Sequence, residues 1–142
     1  PAPAGGLAPE VLAAIDILTP NETETAALTG ALPRSADDGI AAARALRRRG
    51  VATAIVKLGA RGVAYGSAEA EGFVPPFKVH AIDSVAAGDC FNGALAHALD
   101  RGADLAAAVR YAAAAGALST TRQGAAAAAP SAEEVARLIA AG

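Results

Sequence analysis

Apolar positions recur along the chain in two rhythms. Between Asp37 and Arg49 they fall at Ile40, Ala43 and Leu46 among polar neighbours, the spacing of an amphipathic helix that Gly50 stops. VATAIVKLG, residues 51–59, is a short β-branched run after that helix and fits a buried parallel strand. Pro9 to Ala14 reads as a short helix and IDIL at 15–18 as a strand, broken by Thr19-Pro20-Asn21. NETETAALTG then forms a short helix ending at Gly30. RGVAYG and EGFVPPFKVHAID predict antiparallel or edge strands, because Pro75-Pro76 excludes a central ladder. Helices follow at roughly 87–100, 104–121 and 131–140, the first two parted by Gly102 and the last opened by Pro130-Ser131. The order, mixing strands with helices and without internal repeats, specifies an α/β layered arrangement.

Composition narrows the possible functions. The 142 residues suit one domain or half of a larger one, and 54% are apolar against 18% charged, enough for a core. The formal charge is −2, and the one basic run, Arg47-Arg48-Arg49, lies where it complements a helix C-terminus, so no nucleic-acid partner is expected. Cys90 is the single cysteine, which excludes an internal disulfide and favours a reducing compartment. The most apolar stretch, Leu105 to Leu118, is interrupted by Arg110 and reads as a buried helix, so no membrane partner is expected and the chain reads as cytoplasmic. PAPAGGLAPE at the start reads as a loop already in progress.

Three stretches could carry chemistry. In DSVAAGD, small residues at Ala86, Ala87 and Gly88 let a ligand approach the backbone, whose N–H groups at a helix start attract an anion. Asp89 next to them is either a first-turn acid complementing the helix dipole or a base that accepts a proton. Asn21 and Glu24 of NETE nearly match a capping box, and a functional reading sets Glu24 near phosphates and a hydrated Mg²⁺. KLGARG at 57–62 places two glycines in a turn after a buried strand, where a nucleotide could lie against the backbone. His80 and His97 have no neighbours at ligand spacing, and Cys90 reads as a small packing residue.

In this order, PAPA, DILTPNETETAALTG, VKLGARG, DSVAAGDCFNGAL and STTRQGA resemble the C-terminal half of the ribokinase-like sugar kinases, the phosphofructokinase-B family. The resemblance covers essentially the whole chain, and the wording AAGDCFNGAL stands nearer the ribokinase branch than the adenosine kinases or fructokinases. It implies a three-layer α/β/α, Rossmann-like fold with a mostly parallel sheet. Residues 1–142 would be the nucleotide-binding and catalytic-base half, with the sugar-binding half and its β lid absent. The implied activity is ATP-dependent phosphorylation of a sugar primary hydroxyl, D-ribose to ribose 5-phosphate, by a protein that is a homodimer at full length. Another sugar or nucleoside as substrate, or a non-catalytic nucleotide-binding fragment, are the alternatives.

The resemblance also assigns residues. Asp89 matches the catalytic base, which also contacts the substrate hydroxyl, and Ala86, Ala87 and Gly88 match the anion hole, Gly88 also touching the nucleotide. Asn21 and Glu24 match contacts to ATP and to Mg²⁺ through water. Lys57, Leu58, Gly59, Ala60, Arg61 and Gly62 match the nucleotide turn. Asp83, with the backbone at Val85, Ser119, Arg122 and Gly124, matches a monovalent-cation site for K⁺. Three departures stand out. Lys57 replaces a threonine of ribokinases, Ala113 an adenine-contacting Asn or His, and Ala128 a serine that completes the cation site.

Overall fold

A computed structural model describes residues 7–124 and 127–142; the opening PAPAGG and two alanines of the GAAAAAP run lie outside the described residues. The chain folds as two compact units, the first ending at Pro75 and the second starting at Pro76.

The first unit contains α1 (Pro9–Ala13), β1 (Ile17–Leu18), α2 (Glu22–Thr29), α3 (Ala36–Arg48), β2 (Thr53–Lys57), β3 (Val63–Gly66) and β4 (Glu71–Val74). Helix α3 begins where Ser35 accepts the Asp38 N–H, carries Asp37 and Asp38 in its first turn and Arg47 and Arg48 in its last, and so complements its dipole at both ends. The arginine run also serves neighbouring backbone: Arg47 donates to the Ala52 carbonyl at 3.3 Å and Arg49 to that of Leu28. The apolar face of α3 contributes Ala42, Ala43 and Leu46 to a core with Leu12, Leu18, Leu28, Ala54, Val56 and Leu58. Leu46 is fully buried, which alone is worth about 1.5–3 kcal/mol relative to exposure.

The sheet is mixed, with order β1-β2-β3-β4, rather than mostly parallel. Among the described residues only β1 and β2 run parallel, Ile17 opposite Thr53, because α2 and α3 between them supply a crossover. β2 and β3 are joined by the short turn 58–62 and must pair antiparallel, Ile55 opposite Tyr65. A second tight turn, in which Ser67 binds Ala70 through backbone and hydroxyl, returns β4 antiparallel to β3. β4 stops at Val74, so EGFVPPFKVHAID yields one four-residue strand and Pro75-Pro76 ends it. Tyr65 is buried on β3.

The second unit is helical: α4 (Ala87–Asp100), α5 (Leu105–Ser119) and α6 (Ala132–Ala141). Asp104 caps α5 by accepting the Ala107 N–H at 2.8 Å. α4 and α5 are joined by a short loop and pack closely at Gly116, where an added Cβ would stand 3.2 Å from the Ala87 carbonyl oxygen. Ala114, Ala115 and Val135 bury the seam between α5 and α6, with Phe77 and Leu138 packed against them. Tyr111 on α5 is half-buried, its ring 6.2 Å from that of His97. Among the described residues no helix is long and apolar enough to cross a membrane.

Candidate active site

In the first unit, NETE and KLGARG, the two stretches that the resemblance matches to a nucleotide site, meet. The Lys57 N–H donates to the Pro20 carbonyl at 2.9 Å, so the end of β2 is tied to the residue before Asn21. Asn21 and Glu24 form a complete capping box: Asn21 Oδ1 accepts the Glu24 N–H and Glu24 Oε2 accepts the Asn21 N–H, both at 2.9 Å. After β2 the chain makes one 3-10 turn over Gly59, Ala60 and Arg61, closed by the Leu58 N–H on the Gly62 carbonyl at 2.9 Å. Gly62 has φ +111°, and a Cβ there would stand 2.4 Å from the Val74 carbonyl oxygen, so only glycine fits. Gly59, Ala60 and Arg61 are exposed, whereas the Leu58 side chain is fully buried and offers a ligand backbone alone. Arg61 pairs with Glu22 on α2 at 2.6 Å, a link the sequence pattern did not single out.

In the second unit, α2's capping logic is absent from α4. Asn21, Ser35, Asp104 and Ser131 each cap their helices with a side-chain oxygen, but α4 starts on Ala86 with no side-chain acceptor. The first intrahelical bond runs from the Cys90 N–H to the Ala86 carbonyl at 2.9 Å, so the Gly88 and Asp89 amides precede it. The expected cradle is thereby modified: the Ala87 N–H donates to the Ser84 carbonyl at 3.2 Å, closing the turn into the helix. Asp89, on the first turn, is exposed, and with Cys90, His97 and Tyr111 it lines a cavity of about 610 Å³. A carboxylate beside open volume can accept a proton, and the Gly88 and Asp89 amides, without a backbone partner among the described residues, can face an anion.

The segment before α4 is tied to the segment after α5. Asp83 Oδ1 accepts the Val85 N–H at 3.0 Å and Oδ2 the Gly124 N–H at 3.4 Å. The Thr120 carbonyl accepts the amides of Ile82 at 2.6 Å and Asp83 at 3.0 Å. Ser119 turns its hydroxyl onto the Gly116 carbonyl at 2.8 Å, and its own carbonyl takes the Arg122 N–H at 3.4 Å. Asp83, Val85, Ser119, Arg122 and Gly124, scattered in sequence, thus gather around one turn. Sequence reasoning missed Thr120, whose carbonyl carries the junction, and Glu134, which pairs with Arg122. The Ser131 N–H and the Arg122 guanidinium hold the Glu134 carboxyl down at about 2, well below the usual range. The Ser131-x-x-Glu134 spacing of a capping box was the available signal.

The model for the pfkB family carbohydrate kinases matches residues 1–132. The chain belongs to that family. A ribokinase of Haemophilus influenzae is 40% identical over 134 residues, covering 94% of this chain and 44% of the relative. The solved ribokinase of Thermotoga maritima superposes with a TM-score of 0.86 at 41% identity, over 99% of this chain and 47% of that one. The Arabidopsis thaliana ribokinase, solved with ribose and ATP, gives a TM-score of 0.85 at 31% identity, over 96% of this chain and 44% of that one. This pfkB chain therefore has the ribokinase-like α/β fold and spans a little under half the length of these relatives.

Proposed function

We propose that the full-length protein transfers the γ-phosphoryl group of ATP to the primary hydroxyl of a sugar, D-ribose foremost, and that this chain is its nucleotide-binding and catalytic-base half. The observation that carries the reading is the Asp89 carboxylate, exposed at the rim of the cavity on the first turn of a helix with no side-chain cap. Asp89 takes the proton from the sugar hydroxyl, that oxygen bonds to the γ-phosphorus, and the bond from the γ-phosphorus to the bridging oxygen breaks as ADP leaves. The Ala86 and Gly88 amides face the negative charge that spreads over the transferring group. Ala87 supports the cradle from within its turn.

Asn21 and the turn from Gly59 to Gly62, exposed at Gly59, Ala60 and Arg61, hold the nucleotide, with Lys57 at its edge. Glu24, one carboxylate already pinned by its capping box, suits a metal that keeps most of its own water, as Mg²⁺ does. Bound there, Mg²⁺ would offset phosphate charge. Asp83 with the carbonyls of Val85, Ser119, Arg122 and Gly124 is an all-oxygen donor set, the chemistry of a hard cation. K⁺ bound there would stiffen the turn and add positive field.

Phosphorylation assays of the full-length protein with ATP, Mg²⁺ and a panel of pentoses and hexoses test the reading. D-ribose is expected to be the best acceptor. Asp89→Asn is expected to lower turnover by roughly 10²–10⁴ with ATP affinity nearly unchanged. Wild-type turnover in that variant removes Asp89 as the base, and no transfer to any sugar removes the kinase reading.

A further inference from the structure

Arg122 contributes its carbonyl to the proposed cation site, but its guanidinium points elsewhere in purpose: it pairs with Glu134 on α6. That carboxylate is fixed before the arginine reaches it. Its Oε2 accepts the Ser131 N–H at 2.7 Å, and the Glu134 N–H donates to the Ser131 hydroxyl at 3.3 Å. The segment from Ser119 to Gly124 is consequently tied in two directions. Thr120 and Gly124 fasten it to Ile82 and Asp83, and Arg122 fastens it to the start of α6.

We propose that Glu134 is a positioning residue for the monovalent-cation site, fixing the segment that supplies the Ser119, Arg122 and Gly124 carbonyls and neutralising the guanidinium beside it. The inference rests on the cation-site reading of the proposed function. Two effects act in the same direction. Without Glu134 the segment loses its anchor on α6, and an unpaired positive charge remains within a side chain's length of a cation ligand. Charges that close are poorly screened, since the screening length is about 8–10 Å at ordinary salt.

Glu134→Gln separates this role from helix capping, because glutamine completes a capping box as glutamate does but cannot neutralise arginine. The full-length protein is titrated with KCl at constant ionic strength, following both phosphoryl transfer and the K⁺-induced rise in melting temperature. Glu134→Gln is expected to raise the K⁺ concentration for half-maximal effect by about tenfold in both readouts, as loss of a ligand-orienting partner commonly does. Added K⁺ should recover the lost rate. Ser131→Ala, which weakens the cap and keeps the ion pair, is expected to melt earlier while responding to K⁺ as wild type does.

A K⁺ response identical in Glu134→Gln and wild type overturns the inference alone, as does an equal shift in Ser131→Ala. A wild-type protein indifferent to K⁺ in both readouts overturns the cation-site reading, and this inference with it.

Discussion

The Asp83 carboxylate accepts the Gly124 N–H at 3.4 Å across 41 residues of sequence, joining the approach to α4 to the exit from α5. Its other oxygen holds the Val85 N–H, so one half-buried side chain sets the course of the backbone both before α4 and after α5. Asp83→Ala should cost about 1–3 kcal/mol in urea unfolding through the two lost bonds. Asp83→Asn keeps an acceptor and loses the charge. It should retain most of that stability while abolishing the response to K⁺, and an Asn variant that responds normally would remove Asp83 from the cation site.

Gly62 holds the turn after β2 in a conformation barred to other residues. With φ at +111° and the Val74 carbonyl oxygen 2.4 Å from the would-be Cβ, Gly62→Ala must displace either the turn or β4. Strain of this kind costs about 1–3 kcal/mol before the collision is counted. Thermal melting should show that loss, and calorimetric titration with MgATP should show weaker binding even where the variant is folded.

Thr25 is fully buried on α2, and its hydroxyl finds no hydrogen-bond partner among the described residues. A desolvated hydroxyl without a partner is a cost that Thr25→Val removes at nearly constant shape. The variant is expected to unfold at higher urea, by about 1 kcal/mol. A loss of stability instead would mean that the hydroxyl has a partner in solution.

Asp38 makes the first unit sensitive to acid. The Arg34 N–H, first, and then the Ser35 hydroxyl hold its carboxyl below the usual 3.8. A carboxylate with a depressed folded value contributes stability that is complete above its unfolded value and is lost as pH falls through the folded one. Urea midpoints of the wild type should therefore fall more steeply below pH 3.8 than those of Asp38→Asn, and the two should run parallel above it.

Local signals made the helices legible. Asn21 with Gly30, Gly50, and Pro130 with Ser131 mark their ends, and each helix appears within a residue or two of its expected place. Strand direction followed what connects two strands: the β-branched run at 51–59 supplies β2, which pairs parallel with β1 as its composition suggested, while the five-residue turn after it makes the β2–β3 pair antiparallel. The resemblance picked out Asp83, Val85 and Gly124 from distant stretches, and in the structure the Asp83 carboxylate accepts the Val85 and Gly124 N–H groups. The bond from Ala87 to Ser84 had no sequence signature, and although Ser131-x-x-Glu134 marked Glu134 as a capping residue, nothing marked its pairing with Arg122. Both depend on where the backbone goes after a turn, which no spacing of residue types encodes.

The two tyrosines fall one to each unit, Tyr65 on β3 and Tyr111 on α5, and the chain has no tryptophan to outshine them. Its natural ultraviolet emission is therefore divided between the units without any label. Tyr65→Phe leaves a signal that belongs to the helical unit, and Tyr111→Phe one that belongs to the sheet. Heating the two variants side by side reads the cooperativity between the units directly from their glow.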